Sequence, residues 1–413
     1  MTFSPIFGTG LARSGGLLYN GCLSAHPQIM VANCPNIELF RSYRNAVLRD
    51  LKNKDLLSEC PKDAPLLDWF GTTNRIKILE FMLENANLEN QFSNDEWESF
   101  YNISVERGKL EAEDLTKHYK DLKGKTYKNI FSNLLSIIKK SRNCQNKKWI
   151  GLHETWIIDF FPSLARSFPD ARFIIMLRDP RAIINSMLGI KNIDSSQLVQ
   201  VLSYLRHWRK YVALASLFMK NPIFKSRLLV TSHDSILNDT KPTLTKICNF
   251  LDLEFDNKML NTENFTNFSS STPWQGNSSF ENKTLGFNPI RSKRWRKMLD
   301  PIIIETIEYL CGQELKLVGY PILTEMADPE IDMNAKIFNY LHQNYNAYSN
   351  WRSDLKDFAK DIGLELTRKN LLRNNYLCED EDLIKKLFYS TNIFKELKNP
   401  QKKLLPDLEK LLS

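Results

Sequence analysis

The sequence predicts an α/β fold in which helices flank a central parallel sheet, with a helical insertion and a helical C-terminal extension. Two observations predict it. Short apolar runs typical of buried strands alternate with helical patterns, and strands that alternate with helices pair in parallel through crossover connections. The first apolar run also leads into a glycine-bearing loop and then a helix, as at the start of a βαβ unit.

The predicted elements follow from hydrophobic periodicity and from the turn residues between them. Strands are predicted at residues 3–7, 149–153, 172–177 and 227–231. The run 172–177 is continuously apolar after its first residue, as expected for a strand that is buried on both faces. Helical patterns are predicted after residue 16 and at 157–168, 182–188, 241–251 and 301–310.

The chain divides into a long α/β part and a shorter helical part. We predict an α/β domain over 1–325 and a helical extension over 326–413. Within the first, residues 45–147 are mostly helical and charged, and we interpret them as an insertion that caps the site. Residues 264–290 are rich in Asn, Ser, Thr and Gly and predict a long loop, a feature that is often functional inside a compact domain.

Composition excludes several classes of protein. The 413 residues are 42% hydrophobic and 25% charged, which argues against a collagen, a coiled coil or a disordered chain. The net charge of +8 suits an anionic ligand, an acidic surface or nucleic acid without choosing among them. No stretch approaches the roughly 18 apolar residues of a transmembrane helix, so no membrane span is expected.

The cysteine pattern and the N-terminal residues predict the cellular compartment of the protein. Seven cysteines are scattered without a CxxC pair, which argues against a zinc ribbon or a disulfide framework and fits a reducing compartment. The first residues show no basic segment followed by an apolar one, so no signal peptide is expected. Together these observations predict a cytoplasmic location.

The loop Gly10-Leu11-Ala12-Arg13-Ser14-Gly15-Gly16 has the chemistry of an anion site. Its N–H groups and the start of the next helix point partial positive charge at one spot, and Arg13 adds a full charge. Gly15 and Gly16 allow a phosphate to approach the backbone. A Walker A motif needs Lys-Ser/Thr after its last glycine, whereas here Arg13-Ser14 precedes Gly15, so an ordinary P-loop ATPase or GTPase is disfavoured.

A second constellation follows the buried run 172–177. Arg178 ends this predicted strand, and Ser186 lies eight residues further on in the next helix. Ligands of α/β sheets bind at the carboxyl ends of the strands, so both side chains can reach one phosphate there.

Taken together, these motifs resemble those of sulfotransferases that use 3′-phosphoadenosine 5′-phosphosulfate (PAPS). The loop 10–16 followed by Ala25-His26-Pro27 is similar to the family's 5′-phosphosulfate loop. Residues 171–182 with Ser186 are similar to its 3′-phosphate motif. Three later segments resemble further family motifs, namely 244–251, 274–280 and 292–295. The resemblance as a whole spans roughly residues 3–320.

The resemblance implies a P-loop NTPase-like sulfotransferase fold and a set of cofactor-binding residues. The residues implied to bind the 5′-phosphosulfate are Arg13, Ser14, Gly15 and Gly16. Those implied to bind the 3′-phosphate are Arg178 and Ser186. Those implied to cover both groups are Ser292, Lys293 and Arg294. The implied reaction is in-line transfer of a sulfuryl group to a hydroxyl or amine, with 3′-phosphoadenosine 5′-phosphate (PAP) as product and no metal expected.

The implied catalytic residues are Arg13, His153 and Glu38. Arg13 would stabilise the leaving phosphate oxygen. His153 is the first candidate for the general base because cytosolic members carry a base histidine in a similar place. Glu38 is the second because protein-tyrosine members carry a catalytic carboxylate after the first helix. Glu154 and Asp159 are further candidates.

Two departures keep alternative functions open. The family usually has Thr or Ser where this chain has Gly16 and Leu17, and a Tyr-Glu pair is common at His233-Asp234. One alternative is a non-catalytic relative that binds adenine nucleotides. Another is a small-molecule or nucleoside kinase on a related fold, but the Lys-Ser/Thr pair that would bind phosphate and magnesium is not found. The acceptor (small molecule, carbohydrate, lipid or peptide) and the oligomeric state stay open, and nucleic acid is not predicted as a partner.

Overall fold

The computed structural model confirms the predicted α/β class. It describes residues 3–33, 36–51, 53–58, 60–64, 66, 69–142, 144, 146–189, 201–266, 272–274, 276, 285–345, 357–400 and 402–412. Within these residues, five parallel strands form one sheet in the order β2-β3-β1-β4-β5. The strands are β1 (Ser4–Gly10), β2 (Ile29–Asn33), β3 (Trp149–His153), β4 (Arg172–Leu177) and β5 (Leu228–Ser232).

Four of these strands are confirmed predictions, and β2 was missed. β2 lies at one edge of the sheet and pairs with β3 alone. Its five residues come directly after the turn at His26-Pro27 and carry too little periodicity to stand out in the sequence. β1 runs on to Gly10, past its predicted end at Phe7, because Gly8, Thr9 and Gly10 pair with β4.

Helices make up most of the rest of the described chain. The α-helices are α1 (Gly16–Ala25), α2 (Ile37–Arg49), α3 (Lys54–Ser58), α4 (Thr73–Asn85), α5 (Asn94–Glu111), α6 (Glu113–Thr116), α7 (Tyr127–Ser141), α8 (Phe161–Ser167), α9 (Pro180–Leu188), α10 (Val201–Lys220), α11 (His233–Asn238), α12 (Thr240–Phe250), α13 (Ile290–Lys293), α14 (Trp295–Met298), α15 (Pro301–Val318), α16 (Ala335–Gln343), α17 (Phe358–Leu371), α18 (Glu381–Phe388), α19 (Thr391–Lys398) and α20 (Leu408–Leu412). Short 3₁₀ helices lie at Tyr119–Asp121, Thr155–Phe160, Pro222–Phe224, Asn257–Leu260, Thr262–Asn264 and Glu325–Ala327.

Strand register brings the candidate site together. Gly10 is paired with Met176, Gly8 with His153, and Leu177 with Ser232. The carboxyl ends of β1, β3, β4 and β5 therefore lie at one edge of the sheet, where ligands of parallel α/β folds bind.

The described segment between β2 and β3 contains helices α2 to α7 and no strand of the sheet, and it packs on one face of the sheet. Phe131 of α7 meets Phe7 of β1 edge to face, with ring centroids 6.4 Å apart. Tyr43 of α2 lies 4.7 Å from Tyr127 by the same measure.

The predicted helix at 157–168 begins as a 3₁₀ helix. Helix α8 then begins at Phe161 with Pro162 in its first turn, a position that suits a residue without an N–H donor.

Buried ion pairs join the C-terminal helices to the rest of the chain. Glu365 of α17 pairs with Arg206 and Arg209 of α10, at N–O distances of 2.6 and 2.7 Å. Burial alone would raise the pKa of Glu365, but Arg209 and Arg206 hold it at about 2. The same hydrophobic core includes Phe7 near the start of the chain and Leu412 near its end. The boundary between residues 325 and 326 stays a prediction.

We expect Glu365→Gln to destabilise the whole protein. The substitution removes the carboxylate that pairs with buried Arg209 and one of the two carboxylates that pair with buried Arg206. Breaking a buried ion pair in this way costs about 3 to 5 kcal/mol. Urea denaturation followed by circular dichroism measures the change. The control is Asp332→Asn, because the Asp332 side chain pairs with Arg373 but is 84% exposed. Equal stability of both variants would contradict a supporting role for the α10–α17 contact.

Candidate active site

The loop between β1 and α1 is shaped to present backbone N–H groups. Arg13 and Gly15 both have positive φ, 71° and 91°. The Ser14 N–H donates to the Leu11 carbonyl at 2.9 Å, which closes the turn. Helix α1 then begins at Gly16 with Gly15 as its N-cap, and its first turn has neither a capping side chain nor an acidic residue. The free N–H groups and the helix dipole are therefore available to an anion.

Direct hydrogen bonds connect the two predicted phosphate motifs. Arg13 Nε donates to Ser186 Oγ of α9 at 3.1 Å. Arg178 Nη1 donates to the Arg13 carbonyl at 2.6 Å. Residues that lie more than 160 positions apart in the sequence are thus brought to one point at the carboxyl edge of the sheet.

Around this point lies a pocket of about 170 Å³, which we call the arginine pocket. Four guanidinium groups line it, those of Arg13, Arg178, Arg291 and Arg294. Its other lining residues are Gly15, Gly16, Leu17, Leu18, Ala182, Asn185, Ser186, His233, Leu237, Trp274 and Gly286. A pocket with this charge suits a ligand that carries more than one negative group.

Arg178 Nε and His233 Nδ1 are buried atoms of this pocket that have no hydrogen-bond partner within the described residues. Burial lowers the pKa of Arg178. Burial, together with Arg178 and Arg291, holds the pKa of His233 well below its usual range, so this ring is neutral. An anionic ligand would supply the acceptor that Arg178 lacks.

Six of the residues predicted to bind the cofactor line the arginine pocket: Arg13, Gly15, Gly16, Arg178, Ser186 and Arg294. Three others have different surroundings. Ser14 lines a second cavity beside the arginine pocket, and Lys293 lines neither of the two cavities. The Ser292 hydroxyl donates to the Pro289 carbonyl at 2.7 Å and accepts a hydrogen bond from Asn238 Nδ2.

The sequence motifs do not predict Arg291 as a site residue, but it lines the arginine pocket. It lies on α13, three residues before Arg294, and residues three apart share one face of a helix. This three-residue spacing within the basic run 291–297 is the sequence pattern from which a site role for Arg291 could have been predicted. The predicted loop at 264–290 and the segment 274–280 fall partly outside the described residues, at 267–271, 275 and 277–284.

A second cavity, of about 270 Å³, adjoins the same loop, and we call it the loop cleft. Arg13, Gly16 and Leu17 line both cavities. The remaining lining residues come from the loop, the β2–α2 connection, α5 and the end of β3: Gly10, Leu11, Ala12, Ser14, Asn33, Ile37, Arg107, His153, Glu154, Thr155 and Trp156. Arg107 brings the predicted cap segment to the site.

His153 explains why the chain has glycine at position 16. A Cβ atom on Gly16 would lie 2.9 Å from His153 Nε2, and one on Gly8 would lie 2.9 Å from His153 Nδ1. The imidazole therefore occupies the space that a Thr or Ser side chain at position 16 would need. Nδ1 is buried without a partner among the described residues, and burial lowers the pKa of His153 to about 4.

His233 packs against the preceding glycine in the same way. A Cβ on Gly15 would lie only 1.7 Å from His233 Cδ2, and the φ of 91° disfavours a side chain there in any case. The two departures noted in the sequence, glycine at 16 and histidine at 233, are thus each part of a ring-on-glycine contact.

The remaining carboxylate candidates lie in different surroundings. Glu38 is in the first turn of α2, accepts a hydrogen bond from Arg41 Nη1 at 3.0 Å and lines neither cavity. Asp159 is buried in an ion pair with Lys210, at 2.9 Å. Glu154 does line the loop cleft, and its Oε1 accepts a hydrogen bond from the Asn36 N–H at 3.2 Å.

A buried network fixes the start of α9 and so the position of Arg178. Asp179 caps the helix by accepting from the Arg181 N–H at 2.9 Å. Arg181 in turn pairs with Asp179 at 2.8 Å and with Glu308 at 2.5 Å. Trp208 Nε1 donates to the Arg178 carbonyl at 2.9 Å. These contacts fix the backbone at Arg178 and at the start of α9.

This geometry defines a class of protein: a parallel α/β protein whose strand–loop–helix cradle and second cationic motif suit a multiply charged anionic ligand. Residues 5–257 match the family model described as "Sulfotransferase family", which is more than half of the chain. The chain belongs to this family and is a sulfotransferase, an enzyme that moves a sulfuryl group to an acceptor.

The individual relatives are distant. A Caenorhabditis elegans protein named "Putative protein-tyrosine sulfotransferase" is 23% identical over 189 residues, which are 45% of this chain and 70% of that protein. A Caenorhabditis briggsae protein of the same name is 24% identical over 45% of this chain and 65% of its own length. Among solved structures, the sulfotransferase domain from the curacin biosynthetic pathway has a TM-score of 0.41 and 13% identity, over 83% of this chain and 97% of that domain.

The described residues lack two further features. No described helix has the length and apolar character needed to cross a membrane. No group of three or more His, Cys, Asp or Glu side chains in the described ranges is arranged to hold a metal ion.

We expect Gly16→Ala to disturb the site through His153. The new methyl group would press on a ring that Gly8 confines from the other side, and overpacking of this kind costs about 1 to 3 kcal/mol. Thermal unfolding of Gly16→Ala, His153→Ala and the double variant measures the coupling between the two positions. The double variant should recover part of the loss. The control is Gly363→Ala in α17, where nothing lies within 4 Å of the added atom; purely additive effects of the first pair would contradict the contact.

Proposed function

We propose that this sulfotransferase uses PAPS as its donor and binds it in the arginine pocket. The observation that carries the proposal is the pair of hydrogen bonds from Arg13 to Ser186 and from Arg178 to the Arg13 carbonyl. Because these three residues also line one cavity, the contacts support a single site for both predicted phosphate motifs. When bound, PAPS supplies the sulfuryl group and a phosphate that can leave.

Each end of the donor has candidate partners. At the 5′ end these are Arg13 and the N–H groups of Gly15 and Gly16 at the start of α1. At the 3′ end they are Arg178, whose Nε lacks a partner in the described structure, and Ser186. We add Arg291 and Arg294 as cations on the α13–α14 side, because both line the pocket. The roles of Ser14, Ser292 and Lys293 remain sequence-based predictions.

Arg13 is suited to stabilise charge on the leaving oxygen. Negative charge grows on the 5′-phosphate as the sulfuryl group departs, and fixed donors in a partly buried site stabilise such charge more strongly than water does. Arg13 lines both cavities, so its guanidinium lies between the donor side and the acceptor side. Its positive φ is the kind of backbone strain that is often found at functional sites.

We propose that the acceptor enters through the loop cleft and presents a hydroxyl, with an amine as the alternative. Apolar side chains at Leu11, Ile37 and Trp156 line this cleft and can pack against an aromatic ring. The names of the two worm relatives make a tyrosine hydroxyl the first acceptor to test. Small-molecule, carbohydrate and lipid acceptors are the further classes of a screen.

The proposed location is the cytoplasm. All six cysteines of the described chain are unpaired, in agreement with a reducing compartment.

We expect PAP to bind through its 3′-phosphate. Isothermal titration calorimetry with PAP should show binding that is weakened at least about tenfold in Arg178→Ala, because a buried charge-assisted contact is lost. AMP, which lacks the 3′-phosphate, should bind weakly to both proteins. Arg291→Ala and Arg294→Ala should also weaken PAP, and Lys293→Ala tests the sequence-based prediction at that position.

The control for this titration is Lys297→Ala, an exposed cation of the same basic run that does not line the pocket. Its PAP affinity should equal that of the wild type. Equal binding of PAP and AMP, or tighter binding of ATP, would overturn the choice of donor.

We expect sulfuryl transfer from PAPS to a tyrosine-containing peptide, measured with ³⁵S-labelled PAPS. Arg13→Ala should lower kcat by about 100-fold or more, since the loss of one donor to the leaving group has an effect of this size. Folding of the variant is checked by circular dichroism. Transfer by the wild type to sugars or lipids and not to the peptide would move the acceptor to another class and leave the donor site intact.

A further inference from the structure

We propose that Glu154, and not His153, takes the proton from the acceptor, and that His153 donates a hydrogen bond from Nε2 as a neutral imidazole. This inference rests on the proposed function, because it assigns roles to two residues of the loop cleft. It also reverses the order of candidates that the sequence suggests.

The described lining of the cleft leaves few proton acceptors. Its ionisable side chains are those of Arg13, Arg107, His153 and Glu154. Both guanidinium groups are permanent cations and cannot accept a proton. Among the described lining residues, the general base is therefore His153 or Glu154.

The surroundings of His153 do not suit a base. A histidine that accepts a proton at Nε2 is normally held through an Nδ1–H bond to a carboxylate or carbonyl, which fixes the tautomer and stabilises the imidazolium. Here Nδ1 is buried beside Gly8 and has no partner in the described part of the chain. A proton taken up at Nε2 would create a buried cation with an unpaired Nδ1–H donor.

The same surroundings select one neutral tautomer. An unpaired buried N–H is rarer in proteins than an unpaired buried acceptor, so the proton is expected on Nε2. The low pKa of His153, about 4, supports a neutral ring. His153 also lines the loop cleft, where an Nε2–H can meet a ligand.

The position of Nε2 beside Gly16 indicates the role of its N–H group. It lies 2.9 Å from the point where a Cβ on Gly16 would be, at the first residue of α1. Family members that have Thr or Ser in this part of the loop have a hydroxyl donor there. We infer that the imidazole N–H replaces the hydroxyl that Gly16 cannot supply. A neutral histidine used as a donor near growing negative charge is an established catalytic device.

Glu154 is held in the manner that a base requires. Its N–H donates to the Gly8 carbonyl at 3.0 Å, and its own carbonyl accepts from Thr9 Oγ1 at 2.8 Å. Its side chain lines the cleft, and Oε1 accepts from the Asn36 N–H at 3.2 Å. A carboxylate offers about four acceptor sites, so it can accept a hydrogen bond from a backbone N–H and also take up a proton.

The proton and electron pairs balance with these roles. The acceptor oxygen forms a bond to sulfur and gives its proton to the Glu154 carboxylate. The sulfur–oxygen bond to the 5′-phosphate breaks, and its electron pair stays on the phosphate oxygen near Arg13 and the loop N–H groups.

The first test reads the tautomer of His153 directly and needs no acceptor. Protein labelled with ¹⁵N-histidine is studied by two-bond ¹H–¹⁵N correlation, with and without PAP, and His153→Gln identifies the signal. We expect a neutral Nε2–H ring from about pH 8 to pH 5 in both states. A neutral Nδ1–H ring, or an imidazolium that forms near the ordinary pKa of 6.5, would overturn the proposal.

The second test separates the two residues by the acidity of the acceptor. The acceptors are phenol, which is protonated at about pH 8, and 4-nitrophenol, which is already ionised there. Glu154→Gln should lower kcat for phenol by about 100-fold or more and should affect 4-nitrophenol far less, since the ionised acceptor needs no base. His153→Gln removes a base but keeps an N–H donor, so it should affect both acceptors by a similar factor.

The outcomes of the kinetic test are distinct. Selective loss with phenol in His153→Gln, and equal loss in Glu154→Gln, would assign the base to His153 and refute the proposal. PAP affinity, measured by calorimetry, should be unchanged in Glu154→Gln. A wild-type protein that does not bind PAP would instead refute the proposed donor, and the tautomer measurement would still decide the state of His153.

Discussion

The architecture of the site depends on the absence of side chains at three positions of one loop. Added Cβ atoms at Gly15 and Gly16 would collide with His233 and His153, and one at Gly10 would lie 2.9 Å from the Met176 carbonyl of the neighbouring strand. These contacts come from the end of β3, from β4 and from His233, the residue that follows β5, so three neighbouring segments of the sheet edge hold the loop. The close approach also brings backbone N–H groups within reach of an anion, which a bulkier loop would keep at a distance.

The rigidity of the site extends well beyond the loop through buried charges. Arg181 connects Asp179 at the start of α9 to Glu308 on α15, and it stacks on Trp295 with 4.2 Å between guanidinium and ring. Helix α10 contributes Trp208 to the Arg178 carbonyl, and the same helix is paired through two arginines with Glu365 of α17. The C-terminal helices thus support the cation that we assign to the 3′-phosphate. Buried ion pairs fix geometry even where their net contribution to stability is small.

Two cavities meet at Arg13, and this arrangement suits a transfer reaction. The arginine pocket offers cations and backbone donors, whereas the loop cleft offers one carboxylate, one neutral imidazole and apolar surface. Donor and acceptor can therefore approach from opposite cavities, with Arg13 and Gly16 lining both. In the proposed arrangement, the Nε2–H of His153 serves in place of the usual loop hydroxyl, because the imidazole occupies the space beside Gly16.

The sequence by itself determined the α/β class and four of the five strands of the described sheet, and it predicted the two motifs that contain Arg13 and Arg178. These features are local: apolar runs, glycines in a loop and a polar residue at the end of a buried strand are all visible over a few positions. Tertiary structure alone decided that Arg291 lines the pocket, that Glu38 pairs with Arg41 away from it, and that His153 lacks a partner at Nδ1. Each of these depends on strand register and on packing between distant segments. No local pattern encodes the surroundings of an imidazole that β1 and α1 confine from either side.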